Sequence, residues 1–154
     1  MDSKVFPPSP TNLWLAYLAK GGSMKELRGI DQAQLDVMYA IAYGRYNSAL
    51  YNDSLLIFKH LCLLDHINAK YFLGLGVTQV ALHQYAQAAA TLNHAEKLNN
   101  KDPRASLAMA GCFVEMRKLP LAKQALKTAI KRAKQSKKWE QELIKAKQLM
   151  VYVN

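Results

Sequence analysis

The sequence predicts an all-α fold. Three helix hairpins stack as a right-handed solenoid, with an N-terminal helix before them and a C-terminal capping helix after. Three observations predict it. A pattern of small and apolar residues repeats every 34 positions through three units without a gap. Pro7, Pro8 and Pro10 crowd the start and only Pro103 and Pro120 follow, so nearly the whole chain is free to form helix. The 154 residues are 51% hydrophobic with only 7 Gly, which suits one buried core and argues against a disordered or fibrous chain.

The elements follow in chain order. Residues 1–34 form an N-terminal extension. Within it, Ser9 and Pro10 open a helix as cap and first position, and Gly21-Gly22 ends it near Lys20. Leu13, Trp14, Tyr17 and Leu18 make an apolar stripe on that helix, too large for a lone short helix to keep in water. The stripe therefore docks on the solenoid or pairs with a second subunit. Residues 24–30 read as a connector of one helical turn, and Asp31 caps the helix that follows.

The repeats span 35–68, 69–102 and 103–136. Position 8 is small each time, as Ala42, Gly76 and Ala110, so that the second helix approaches closely. Position 20 is small for the same reason, as Ser54, Ala88 and Ala122. Position 7 is apolar, as Ile41, Leu75 and Met109. Positions 17, 24 and 27 carry Tyr51, Phe58 and Leu61 and their equivalents onto one face. The period and this small/large code resemble the tetratricopeptide repeat. The sequence departs from it at position 15, often Gly, where Ala49, His83 and Arg117 stand. Residues 137–154 supply the terminal cap, with Leu143, Ala146, Met150 and Val153 along one face of a last helix.

Charge is uneven. Residues 1–100 hold 8 basic and 7 acidic side chains, whereas 101–154 hold 13 basic and 4 acidic. Nine Lys/Arg and no acid lie between Arg117 and Lys138. With no aromatic residue interleaved before Trp139, this reads as a solvated helix face more readily than as a nucleic-acid patch, and nucleic acid is not the expected partner. Apolar runs such as residues 13–19 are too short to span a bilayer, and two cysteines suit a reduced compartment, so the expected location is cytoplasmic.

The sequence offers no case for an enzyme, a metal site or a cofactor. No phosphate-binding or zinc-protease motif is present, and His60, His66, His83 and His94 lack ligand spacing. Cys62 and Cys112 read as small core residues. The first helix of each repeat is more informative. Its positions 2, 5, 9 and 12 face the concave side. With position 13 they present Asp36, Tyr39, Tyr43, Tyr46 and Asn47 in the first unit, Lys70, Leu73, Val77, Val80 and Ala81 in the second, and Arg104, Leu107, Gly111, Val114 and Glu115 in the third, apolar and aromatic in the middle. A solvated face would not be so apolar. The pattern predicts a groove for an extended peptide, with the tyrosines as rigid amphipathic anchors and Lys70 and Arg104 bonding peptide carbonyls or acids.

Several segments carry a closer resemblance. Leu61-Cys62-Leu63-Leu64-Asp65-His66, Tyr71-Phe72-Leu73-Gly74-Leu75-Gly76, Asp102-Pro103-Arg104, and Gly21-Gly22-Ser23 followed by Leu27 are similar to the class II chaperones of bacterial type III secretion, over residues 11–152. The resemblance implies a three-repeat bacterial chaperone that keeps pore-forming translocator proteins soluble and secretion-competent. It also implies a weak homodimer through the N-terminal region. Many members are acidic, and the basic last third of this chain departs from them. Two other readings remain: a general tetratricopeptide scaffold or adaptor, and a basic regulatory protein that uses residues 117–138.

Overall fold

A computed structural model describes residue 17 and residues 19–154. Among these residues the chain forms eight α-helices and one 3-10 turn, with no strand. Helix α1 is Met24–Leu27, the single turn expected of the connector. Three hairpins follow: α2 (Gln32–Asn47) with α3 (Tyr51–Leu64), α4 (Ala69–Ala81) with α5 (Tyr85–Leu98), and α6 (Arg104–Glu115) with α7 (Leu119–Ala133). A 3-10 turn, Lys137–Trp139, leads into α8 (Glu140–Val153).

The caps explain the helix starts. The Asp31 carboxylate accepts the Gln34 N–H at 2.8 Å while the Gln34 side chain accepts the Asp31 N–H at 3.1 Å, a reciprocal capping box. Asn68 caps α4 by accepting from the Lys70 N–H, and Asp102 accepts from the Arg104 N–H ahead of α6. The ends of α2, α4 and α6 share a different device. Ala49, His83 and Arg117 all have φ near +60°, the left-handed conformation that glycine takes at no cost. These are the position-15 departures, so the turn keeps its shape although the residue type is unfavourable. Ala49→Gly should relieve this and stabilise the fold by about 0.5–1 kcal/mol, raising Tm by about 1–4 °C in a thermal melt.

Packing follows the repeat code. Ala42 and Ala110 at position 8 are buried, as are Ser54, Ala88 and Ala122 at position 20. Gly76 shows why: a Cβ there would lie 2.6 Å from Leu92 Cδ2. Gly74 is equally constrained, because its Cβ would overlap the Phe58 ring. Two apolar clusters result. One joins α2, α3 and α4 through Leu35, Phe58, Leu61, Tyr71 and Leu75. The other joins α5 to α8 through Leu92, Ala110, Leu126, Ala146 and Val153, so α8 covers that end of the stack.

Among the described residues, no hairpin covers the opposite end in the same way. Position 3 of the first helix is fully buried in the second unit (Tyr71, 0% exposed) and nearly so in the third (Ala105, 3%), yet Val37 in the first unit is 60% exposed. Position 7 behaves alike: Leu75 is 8% and Met109 6% exposed, but Ile41 is 47% exposed. In units two and three this face packs against the preceding hairpin, and the first unit has none. The apolar position 7 of the code is therefore a core position in two units and a surface position in one.

Ionic contacts tie elements together across the sequence. Lys25 Nζ meets the buried Asp65 carboxylate at 2.7 Å and pins α1 to the end of α3. Arg132 on α7 meets Glu96 on α5 at 2.9 Å, and both bond the fully buried Ser106 of α6. The hydrogen bond to Asp65 raises the Lys25 pKa, and burial raises those of Tyr39, Tyr46 and Tyr71. Each of these groups has a higher pKa folded than unfolded. Their contribution is thus complete below pH about 10 and is lost as pH rises through the folded values. Denaturant midpoints should hold from neutral pH to about pH 9.5 and fall above it.

Candidate functional site

A cavity of about 210 Å³ opens where α2, α4 and the start of α6 meet, on the face formed by the first helices of the hairpins. It is lined by Tyr39, Tyr43 and Tyr46 from α2, by Lys70, Leu73, Gly74 and Val77 from α4, by Arg104, and by Phe58 from α3. The helical spacing of α2 sets Tyr39, Tyr43 and Tyr46 on successive turns of one face. Gly74 lacks a side chain at the point where Phe58 enters from behind, which lets an aromatic ring form part of the wall.

Three aromatic rings gather around Tyr39, while Tyr46 pairs with Tyr51. Tyr39 lies parallel to Tyr43 with centroids 6.3 Å apart, and meets Phe58 edge-on at 5.9 Å. Its other neighbour is Tyr71, also at 5.9 Å. Lys70 Nζ lies 4.1 Å from the centre of the Tyr39 ring, a cation–π distance. Burial raises the pKa of Tyr39 while the Arg104 charge partly lowers it, so the phenol stays neutral and keeps its hydrogen. Tyr43 is more than half exposed, with its ring open to whatever enters. The arrangement offers an apolar, aromatic hollow rimmed by hydroxyl and cationic donors. It suits an apolar side chain carried on a strand of peptide.

Seven of the sequence-derived groove residues thus meet in one place: Tyr39, Tyr43, Tyr46, Lys70, Leu73, Val77 and Arg104. Val80, Leu107 and Val114 lie outside this cavity, half-buried against the second apolar cluster. Phe58 and Gly74 were not among the expected groove residues. Phe58 sits at a core position of the code and is buried, and only the absence of a side chain at Gly74 hints that its ring borders the cavity. Of the expected dimerisation residues, Leu13, Trp14 and Leu18 lie outside the described residues. Tyr17 is half-buried, and its hydroxyl donates to the Glu26 carboxylate with its ring over Gly22.

Neither cysteine belongs to this site. Both are buried, and desolvation pushes the Cys62 thiol up to about 12 and Cys112 to about 11, which keeps them protonated and unreactive. Among the described residues no group of three His, Cys, Asp or Glu is placed to hold a metal ion, and no helix is long and apolar enough to cross a membrane. On α7, Lys127 and Lys131 are exposed and Lys123 is half-buried, Lys134 is exposed just past its end, and Arg132 turns inward to Glu96.

Comparison with known proteins gives this geometry a context. The tetratricopeptide repeat family matches residues 79–142. Over 111 residues the chain is 32% identical to low calcium response locus protein H of Yersinia pestis, which covers 72% of this chain and 66% of that relative's length. A chain in a type III secretion complex from Aeromonas hydrophila superposes with a TM-score of 0.89 at 25% identity, covering 92% of this chain and 94% of that one. The Yersinia enterocolitica type III secretion chaperone SycD, solved in complex with a peptide of the translocator YopD, superposes with a TM-score of 0.77 at 26% identity, covering 80% and 95%. By sequence and by fold, the chain belongs to the tetratricopeptide-type translocator chaperones of type III secretion.

Proposed function

We propose that this protein binds an extended apolar segment of one or more type III secretion translocators and so keeps them soluble and ready for export. The observation that carries the reading is the aromatic cavity between α2, α4 and α6, in a fold whose relative SycD is solved with a translocator peptide. A translocator carries membrane-seeking segments that aggregate or insert early if left in water. A cavity of this size covers one side chain, so it grips a short peptide through anchors and does not enclose the client. Tyr39, Tyr43, Tyr46, Leu73 and Val77 hold the first anchor. Val80, Leu107 and Val114 continue the strip toward the third hairpin.

The protein works by binding and not by catalysis, in the bacterial cytoplasm before export. In this reading 1–34 is an accessory extension, 35–136 the binding solenoid and 137–154 its cap. The N-terminal stripe of Leu13, Trp14, Tyr17 and Leu18 makes a weak homodimer. The exposed Val37 and Ile41 face supports such pairing, because it is apolar surface of the kind that packs against a neighbouring helix elsewhere in the same molecule. The function is tested by mass spectrometry of what co-purifies from the native cell. A secreted protein with hydrophobic spans is expected. A folded soluble partner alone would favour a general scaffold instead.

A further inference from the structure

We infer that the aromatic cavity is one half of a two-part site that takes an apolar side chain together with an adjacent carboxylate. This rests on the groove reading above and specifies its ligand. A second cavity of about 100 Å³ adjoins the first and shares Lys70, Leu73 and Arg104 with it. Ala69, Ala95, Asn99, Asp102 and Ala105 complete its wall. The shared wall therefore carries two cations, one on each of two helices, facing both the aromatic hollow and a smaller mixed one to which Asn99 and Asp102 add polar atoms.

Both cations are held in position. Arg104 Nε donates to both Asp102 oxygens at 3.1 Å, and its Nη2 donates at 2.7 Å. The guanidinium also lies 5.1 Å from the centre of the Trp139 ring. Its Nη1 edge has no acceptor among the described residues. Lys70 is held over Tyr39 and has no carboxylate within ion-pair distance among the described residues. Asp36 on α2 is engaged by the Gln32 side chain at 2.9 Å.

The local charge decides what fits. Among the residues lining the two hollows, Lys70 and Arg104 bring two positive charges and Asp102 one negative, while Glu142 on α8 acts on Arg104 from outside them and leaves Lys70 without a counter-charge. A peptide laid over them removes water and leaves one charge uncompensated, which is costly. Peptide carbonyls are neutral and do not compensate it. A carboxylate does, with charge-assisted bonds from Lys70 Nζ and Arg104 Nη1. The smaller hollow, about 100 Å³, has room for a carboxylate and a water or two. The source is an Asp or Glu side chain close to the apolar anchor, or the free end of a chain.

The test uses ten-residue peptides blocked at both ends, with a single Leu anchor and either Glu or Gln at each flanking position in turn. A further peptide ends in a free carboxylate beside the Leu. Affinity for the full chain is read by fluorescence anisotropy. Glu at one position should bind at least fivefold tighter than Gln. The ratio should fall below twofold in Lys70→Met and shrink in 0.5 M salt. Replacing Leu by Ala should abolish binding of the Glu peptide. A gain from the chain-end carboxylate alone keeps the carboxylate site and assigns its source to a terminus. Equal binding of Glu, Gln and free-end peptides through the Leu anchor overturns the inference and leaves the groove reading intact. If no Leu peptide binds, both fail.

Discussion

Leu75→Glu is expected to abolish cooperative folding, while Ile41→Glu, at the same repeat position one unit earlier, leaves the protein folded. Leu75 is 8% exposed and belongs to the apolar cluster that joins the first two hairpins. Among the described residues that cluster contains no base, so a carboxylate there is buried unpaired. The cost is several kcal/mol, comparable with the whole stability of a domain this size. Ile41 meets solvent instead, and substitutions at such positions usually change stability by about 0.5 kcal/mol or less. Circular dichroism melts of the two variants check the pair. Ile41→Glu carries a second readout, because the face it occupies is the one proposed for pairing. Sedimentation should show it monomeric where the wild type self-associates. Equal destabilisation of both variants would mean that the first unit's outer face is covered after all.

Tyr43→Glu should weaken client binding about a hundredfold, near 2.7 kcal/mol, with the helical signal unchanged. Tyr43 stacks on Tyr39 at the mouth of the cavity and is more than half exposed, so the fold does not depend on it. An apolar anchor seated against a carboxylate must desolvate that charge, and a ligand acid held by Lys70 and Arg104 is repelled by it. Titration with the co-purified partner, alongside circular dichroism, separates binding from folding. Full affinity in a folded variant would move the binding site elsewhere on the solenoid.

Much of this molecule is legible in its sequence because the repeat is a packing code. Ala42, Ser54, Ala88 and Ala122 are small where two helices close on each other, and that requirement is the same in every unit. The groove tyrosines are legible for a related reason: helical spacing alone sets Tyr39, Tyr43 and Tyr46 on one face. Position 7 shows where the code stops. Ile41 carries the repeat residue type but not its environment, because a repeat is buried by its neighbour and the first has none before it. The position-15 turns fail in the opposite sense. Ala49, His83 and Arg117 look wrong for a left-handed turn, yet the hairpin geometry imposes it on all three.

The remaining gaps concern contacts distant in sequence. Nothing local marks Glu96, Ser106 and Arg132 as one network, since each is ordinary on its own helix. The same holds for Lys25 and Asp65, whose pairing fixes α1 against α3. Phe58 was readable as core, but its second role as a wall of the binding cavity depends on Gly74 one helix away. Such features need the three-dimensional arrangement, whereas the 34-residue period needs only the sequence.

The central claim is that the aromatic face of the first helices is where the client segment binds. Hydrogen exchange of the free protein and of its complex with the co-purified translocator, followed by mass spectrometry, tests it most directly. New protection is expected in peptides covering residues 39–46, 70–80 and 104–114, with little change along α7. Protection confined to α5 and α7, with exchange across residues 39–46 unaltered, would contradict it.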